Sequence, residues 1–283
     1  MTYGDLPKEY QNISKARVII LPVPFDGSST WGKGADIGPQ ALIDASANME
    51  LYDIETNSEP YTIGIHTAKP LIYKTPEEGA RVTEKMVGGF MDQKKLVCLL
   101  GGEHSVSAGA IAASAKRHKN MCVLQLDAHS DMREEYHGSK YNHACVMARA
   151  KNLCPVIQVG IRSMDISELP NIKKENIFYA EKIRHNPQWI KDVVARLSEE
   201  VYLTIDLDVF DPSIMPSTGT PEPGGLGWYE VIDLLREVIK QKKLVGFDVV
   251  ELAPNPKEKS SDFLAAKLVY KIIAYQFFNP HTL

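Results

Sequence analysis

The chain has 283 residues, 44% of them hydrophobic and 24% charged, with a formal net charge of −4; this is material for a sizeable core and excludes a disordered chain. The slight acidity argues against nucleic acid as a partner, which would call for a basic face, and is compatible with a small cationic substrate. The polar start Met1–Asn12 lacks the apolar segment of a secretory signal, no run of about 18 apolar residues predicts a membrane span, and residues 280–283 form no recognised targeting tail.

In chain order, the apolar run Val18–Pro22 predicts a first strand. Gly38-Pro39 opens a helix reaching about Met49, with proline in its first turn. A helix over Pro76–Gln93, a strand over Leu96–Leu100 and a helix over Ser105–Lys119 follow. Next come the strand Met121–Leu126, an irregular stretch Arg133–Tyr141, the strand Val156–Val159 and a helix Pro187–Glu200. The strand Val201–Leu207 leads into a second long loop, Asp211–Gly227. A helix Trp228–Lys242, a strand Leu244–Val250 and a helix Ser261–Phe278 close the chain. That last helix is apolar on much of its circumference, as expected of buried core or of a subunit contact. The strands are rich in Val, Ile and Leu without strict alternation, the pattern of strands buried on both faces. Strand–helix alternation predicts an α/β fold with a mostly parallel central sheet flanked by helices. No linker or repeat interrupts it, so residues 1–283 read as one domain. Loops as long as these two in a compact domain are often functional.

The cysteines, Cys98, Cys122, Cys145 and Cys154, form no Cys-x-x-Cys pair, and Cys98 and Cys122 lie in apolar runs. They read as core residues of a reduced, cytoplasmic protein. Gly27–Lys33 follows a strand like a phosphate loop, but Gly34 stands where the required hydroxyl residue would be. His66, His118, His137, His185 and His281 have no partner at ligand spacing and read as surface or loop residues.

Three strand ends carry acidic and imidazole groups: Gly101-Gly102-Glu103-His104, Asp127-Ala128-His129-Ser130-Asp131 and Asp206-Leu207-Asp208. In extended chain, residues spaced i, i+2, i+4 share a face, so each group can present its ligands together. The carboxyl ends of parallel strands border the ligand crevice of such folds. Four carboxylates meeting there would repel one another, whereas two divalent cations would cancel their charge. Mixed imidazole and carboxylate donors suit Mn²⁺, with Zn²⁺, Fe²⁺ or Co²⁺ also matching the ligand types.

These motifs resemble those of the ureohydrolases, the arginase and agmatinase family. The likeness extends to Pro24-Phe25-Asp26-Gly27 with Gly38-Pro39, to Thr218–Leu226 and to Phe247-Asp248-Val249-Val250-Glu251. The resemblance implies a three-layer α/β/α fold, two Mn²⁺ per subunit, a trimer or hexamer, and hydrolysis of a guanidinium to urea and an amine. It implies that Asp127 and Asp206 bridge the ions, that His104 and Asp131 complete one site, and that His129 and Asp208 complete the other. Asp131 would also handle a proton, Glu251 would hold the guanidinium and His143 would serve as proton shuttle. The arginase pattern for gripping an amino-acid end is replaced here by Arg133 and by Ser139-Lys140-Tyr141-Asn142 before His143. That departure, with Asp131-Met132-Arg133-Glu134-Glu135-Tyr136, looks more like agmatinases, which convert agmatine to putrescine and urea. Glu134, Glu135 or Glu222 would then meet the distal ammonium. Guanidinobutyrate and formiminoglutamate are the alternatives, because Arg133 would favour an acidic substrate end; arginine is the weaker one.

Overall fold

A computed structural model describes residues 1–278; residues 279–283, including His281, lie outside the described residues. Eight strands form a single sheet: β1 (Val18–Val23), β2 (Ile65–Thr67), β3 (Leu96–Gly101), β4 (Met121–Leu126), β5 (Val156–Ile161), β6 (Ile177–Tyr179), β7 (Glu200–Asp206) and β8 (Lys243–Val250). Their order is β2-β1-β3-β8-β7-β4-β5-β6, and every pairing is parallel. The helices are α1 (Gly38–Ser46), α2 (Pro76–Asp92), α3 (Ser107–Arg117), α4 (Val146–Ala150), α5 (Ala180–Ile183), α6 (Trp189–Arg196), α7 (Trp228–Gln241) and α8 (Ser260–Phe278).

Period-two alternation divides the strand side chains between two cores. Ile20, Cys98, Leu100, Leu124, Leu203 and Phe247 pack on the side of α1, α6, α7 and α8. Leu21, Leu99, Val123, Tyr202 and Val245 pack on the side of α2, α3 and α4. The result is the expected three-layer α/β/α sandwich. In α8, residues Leu268 through Tyr275 are all buried, so much of its apolar circumference belongs to the core.

The six predicted strands are present, and the sheet gains two three-residue edge strands, β2 and β6, too short to stand out as apolar runs. The segment predicted as a helix over 187–200 is helical only over Trp189–Arg196. No strand or α-helix interrupts 133–141 or 211–227. Among the described residues, no helix is long and apolar enough to cross a membrane.

Register levels the strand ends. Leu100 pairs with Val249, Val249 with Ile205, and Ile205 with Leu126. One row of partners thus crosses the four central strands, and the chain leaves the sheet just beyond it at 102–104, 251, 206–208 and 127–131. At under 5 Å per strand, the four exits lie within about 15 Å.

Candidate active site

All six candidate ligands converge above that row. His104 begins a short 3₁₀ turn, 104–106, after β3. Its Nδ1 lies 3.2 Å from Asp127 Oδ2, 3.0 Å from Asp131 Oδ2 and 3.5 Å from Asp206 Oδ2. His129 Nδ1 lies 2.9 Å from Asp208 Oδ2 and 3.7 Å from Asp127 Oδ1. Among the described residues, two groups have donor atoms close enough to hold an ion: His104, Asp127 and Asp206, and Asp127, His129 and Asp208. Asp127 is common to both. Asp131 approaches the first group through His104, and Asp206 belongs to that group alone.

Strand alternation is not what brings these side chains together. β4 ends at Leu126, so Asp127–Asp131 is not a strand extension, and Asp131 has φ 52°. Asp206 ends β7, while Asp208 lies in a 3₁₀ turn over 207–209 whose cap is Asp206 itself, accepting from the Asp208 amide at 3.0 Å. The convergence is built by tight turns at strand ends. Glu251, the first residue after β8, also takes a left-handed φ of 67°.

Buried amides hold Asp127. Gln125 Nε2 donates to Asp127 Oδ2 at 2.6 Å, and Gln158 Nε2, on the adjacent strand, donates to Gln125 Oε1 at 2.6 Å. The backbone N–H of His129 donates to Asp127 Oδ1 at 2.6 Å, and that of Ala128 to Asp208 Oδ1 at 2.9 Å. Arg162, just beyond β5, reaches the carbonyls of Asp208 at 2.6 Å and Glu222 at 2.8 Å, bracing that loop from behind.

The donor set tests itself for cations. Thr204 Oγ1 donates to Asp248 Oδ1 at 2.6 Å, so it accepts from His104 Nε2 at 2.8 Å. A neutral His104 must then aim its Nδ1 lone pair at three carboxylates. Among the described residues, that buried Nδ1 has no hydrogen-bond partner. Only a proton or a metal ion resolves such an arrangement. The titration behaviour says the same. Burial disfavours a charged His104, yet Asp127, Asp131 and Asp206 hold its pKa well above the usual value. Burial and the Asp127 charge push Asp131 up to about 7. Burial and then Asp208 and Asp127 push Asp206 well up. Without metal, protons take the cations' place, and two divalent ions fit the residues present.

Beside the ligands lies a cavity of 270 Å³ lined by His104, His129, Asp131, Asp206, His143 and Glu251, with Arg133, Tyr136, Asp165 and Glu168 at another part of its wall. Glu251 Oε1 accepts from the His104 backbone at 2.8 Å. Burial, then the Glu103 charge, raises the Glu251 pKa well above its usual value, as for a buried anion short of a countercharge. Burial and the positive His104 and His129 lower the His143 pKa to about 4.

Other expectations need correction. Glu134 is paired with Arg149 at 2.6 Å and Lys151 at 2.9 Å, and Glu135 is exposed. Glu222 stands at the outer edge of His129, with Oε1 3.8 Å from Nε2, and Thr220 supplies the cavity wall from that loop. Arg133 is also engaged: it stacks 4.4 Å over the Tyr136 ring and lies 3.5 Å from Asp165 Oδ2 and 3.7 Å from Glu168 Oε1. The wall residues Asp165 and Glu168 went unnoticed in the sequence. Their Asp-x-x-Glu spacing signals the capping box they form, but nothing in that spacing points to a cavity.

Comparison with known proteins agrees with this geometry. The Arginase family model matches residues 16–274. The N(1)-aminopropylagmatine ureohydrolase of Synechocystis sp. is 39% identical over 92% of this chain and 89% of its own length. The agmatinase of Pyrococcus horikoshii is 34% identical over 95% of each chain. The crystal structure of agmatine ureohydrolase of Thermoplasma volcanium superposes with a TM-score of 0.88 at 30% identity, over 96% of this chain and 93% of that one. With its fold, its clustered His and Asp residues and these relatives in agreement, the chain belongs to the arginase family.

Proposed function

We propose that this chain is a ureohydrolase that cleaves the guanidinium of agmatine or of its N(1)-aminopropyl derivative, releasing urea and putrescine or the corresponding longer amine. The observation that carries the reading is Glu251, a buried carboxylate without a countercharge, facing the same cavity as two groups of metal-type donors. His104 and Asp131 would hold one ion and His129 and Asp208 the other, with Asp127, common to both donor groups, shared and Asp206, here grouped with His104, as the second shared carboxylate; Mn²⁺ suits these donors. When bound, two such ions supply the Lewis acidity that makes water a nucleophile at neutral pH.

The chain's own groups do the rest. Among the described residues, Glu251 Oε2 accepts no hydrogen bond, and Oε1 accepts one. Both oxygens therefore have lone pairs for a guanidinium, which a carboxylate binds through two parallel hydrogen bonds. That pairing neutralises the substrate charge and fixes the plane of its carbon. Asp131, on the cavity wall, would take a proton from the attacking water. His143, neutral at physiological pH, would first accept that proton and then pass it to the leaving amine.

A cationic distal end fits better than an acidic one. Arg133, the residue that could have greeted a carboxylate, is engaged by Asp165, Glu168 and Tyr136, and these two carboxylates outnumber the one guanidinium on that part of the wall. The test is urea release from agmatine, N(1)-aminopropylagmatine, arginine and guanidinobutyrate, with Mn²⁺ and after chelation. Turnover of either of the first two at about 100-fold or more the kcat/KM of the others, lost on chelation, is expected, given the cost of burying an unmatched charge. Equal turnover of guanidinobutyrate, or full activity without metal, contradicts the reading.

A further inference from the structure

Ser28 lies in the loop after β1 and donates its hydroxyl proton to Glu103 Oε1 at 2.8 Å. The same Oγ accepts the backbone N–H of His143 at 3.0 Å and sits 3.1 Å from His143 Nδ1. Glu103 is fully buried and receives two further donors, the Ser105 amide at 2.7 Å and the Ser105 hydroxyl at 2.9 Å. Burial raises the Glu103 pKa, and the three donors aimed at its carboxyl group oppose that rise by favouring the acceptor-only form.

The hydrogen-bond arithmetic at Ser28 then has one solution. A hydroxyl has one proton and two lone pairs. The proton goes to Glu103, because a carboxylate cannot donate. One lone pair takes the His143 amide, because a backbone N–H cannot accept. The second lone pair faces Nδ1 and can only be satisfied by Nδ1–H. We propose that Glu103 and Ser28 lock neutral His143 in the Nδ1–H tautomer, leaving Nε2 as a bare proton acceptor at the active-site cavity. Ser28 and Glu103 are positioning residues: they touch neither substrate nor reacting atoms.

The consequence for turnover rests on the reading of His143 as proton shuttle. Nε2 takes up the proton that Asp131 received from the water and gives it to the departing nitrogen, so both His143 and Asp131 end as they began. Throughout, Nδ1–H keeps its bond to Ser28, which stabilises the cationic ring in between. The opposite tautomer would present N–H to the cavity and could not accept.

The test is ring-nitrogen NMR of ¹⁵N-histidine-labelled full-length protein, loaded with a diamagnetic divalent ion and assigned by the signals lost in His143→Asn. Pyrrole-type Nδ1 and pyridine-type Nε2 at neutral pH are expected; pyridine-type Nδ1, or a mixture of both forms, overturns the lock. In Ser28→Ala the two tautomers should mix, and kcat should fall roughly 10- to 100-fold with KM little changed. Ser28→Thr, which keeps the hydroxyl, should restore both; if it restores the fold but not the tautomer, the lock is wrong. A locked tautomer in the wild type with unchanged kcat in Ser28→Ala supports the lock and counts instead against the part assigned to His143.

Discussion

Asp131 and Glu251 share a backbone conformation that residues with a Cβ seldom adopt, with φ of 52° and 67°. Strain of this kind is tolerated where a side chain must be aimed, and it costs on the order of 1–3 kcal/mol per residue. Both are acids on the cavity wall. Glu251 also bears a desolvation cost, so removing its charge should separate stability from activity. In Glu251→Gln, kcat/KM for the guanidino substrate should fall about 100-fold or more as the charge-assisted pair is lost. The melting temperature should hold or rise, and bound metal by elemental analysis should stay as in the wild type. A variant that loses metal together with activity would mean that Glu251 serves the ions and not the guanidinium. At this scale the sequence was most legible where chemistry is written in adjacent letters. Asp127-Ala128-His129-Ser130-Asp131 shows its ligands outright. Ser28 meets His143, 115 positions away, only because the strand ends lie level, and no local pattern announces that contact.

Among the elements, the sheet interior was readable and its margins were not. A strand buried on both faces has to be apolar throughout, and six of the eight strands stood out for that reason. β2 and β6 have three residues each and one neighbouring strand, so little apolar sequence is demanded of them. The turns after the strands were misjudged too, since the alternation argument assumes that β4 continues through Asp131. What holds those turns is partly Arg162. Its guanidinium donates to six carbonyls, those of Gly160, Asp208, Val209, Phe210, Glu222 and Pro223. A residue bonded only to backbone leaves no mark in the partners' side chains, which is why spacing could not reveal it. Arg162→Met should loosen the segment that carries Asp208. Metal affinity and kcat/KM are expected to fall about 10- to 100-fold, with activity partly recovered at high metal concentration. Unchanged metal affinity would show that the turn holds its shape unaided.

Across the molecule, α8 is tied to the segment after α1 by a charged cluster. Lys271 reaches Asp53 at 3.0 Å and Glu55 at 2.6 Å, and Tyr275 donates to Glu55 at 2.6 Å. Burial alone would raise the Glu55 pKa, but Lys271, Tyr275 and Arg236 bring it from 4.5 to about 2. Because the folded value lies below the unfolded one, this stabilisation is complete above pH 4.5 and is lost as pH falls through 2. Glu55 is about a third exposed, so solvent screening reduces the gain to about 1 kcal/mol. Glu55→Gln should therefore melt about 2–4 °C below the wild type near neutral pH, with the gap closing in acid. A gap independent of pH would assign the effect to packing.

Among the described residues β8 is the last strand, yet it lies between β3 and β7 near the middle of the sheet. A growing polypeptide therefore leaves the facing backbone edges of both neighbours unpaired until residues 243–250 emerge and slot between them. Before that moment the level row from Leu100 to Leu126 has a gap, and His104 has no fixed distance to Asp127 or Asp206. The half of the cation cage that needs His104 therefore waits for β8, whereas Asp127, His129 and Asp208 already sit at the ends of β4 and β7, which pair directly.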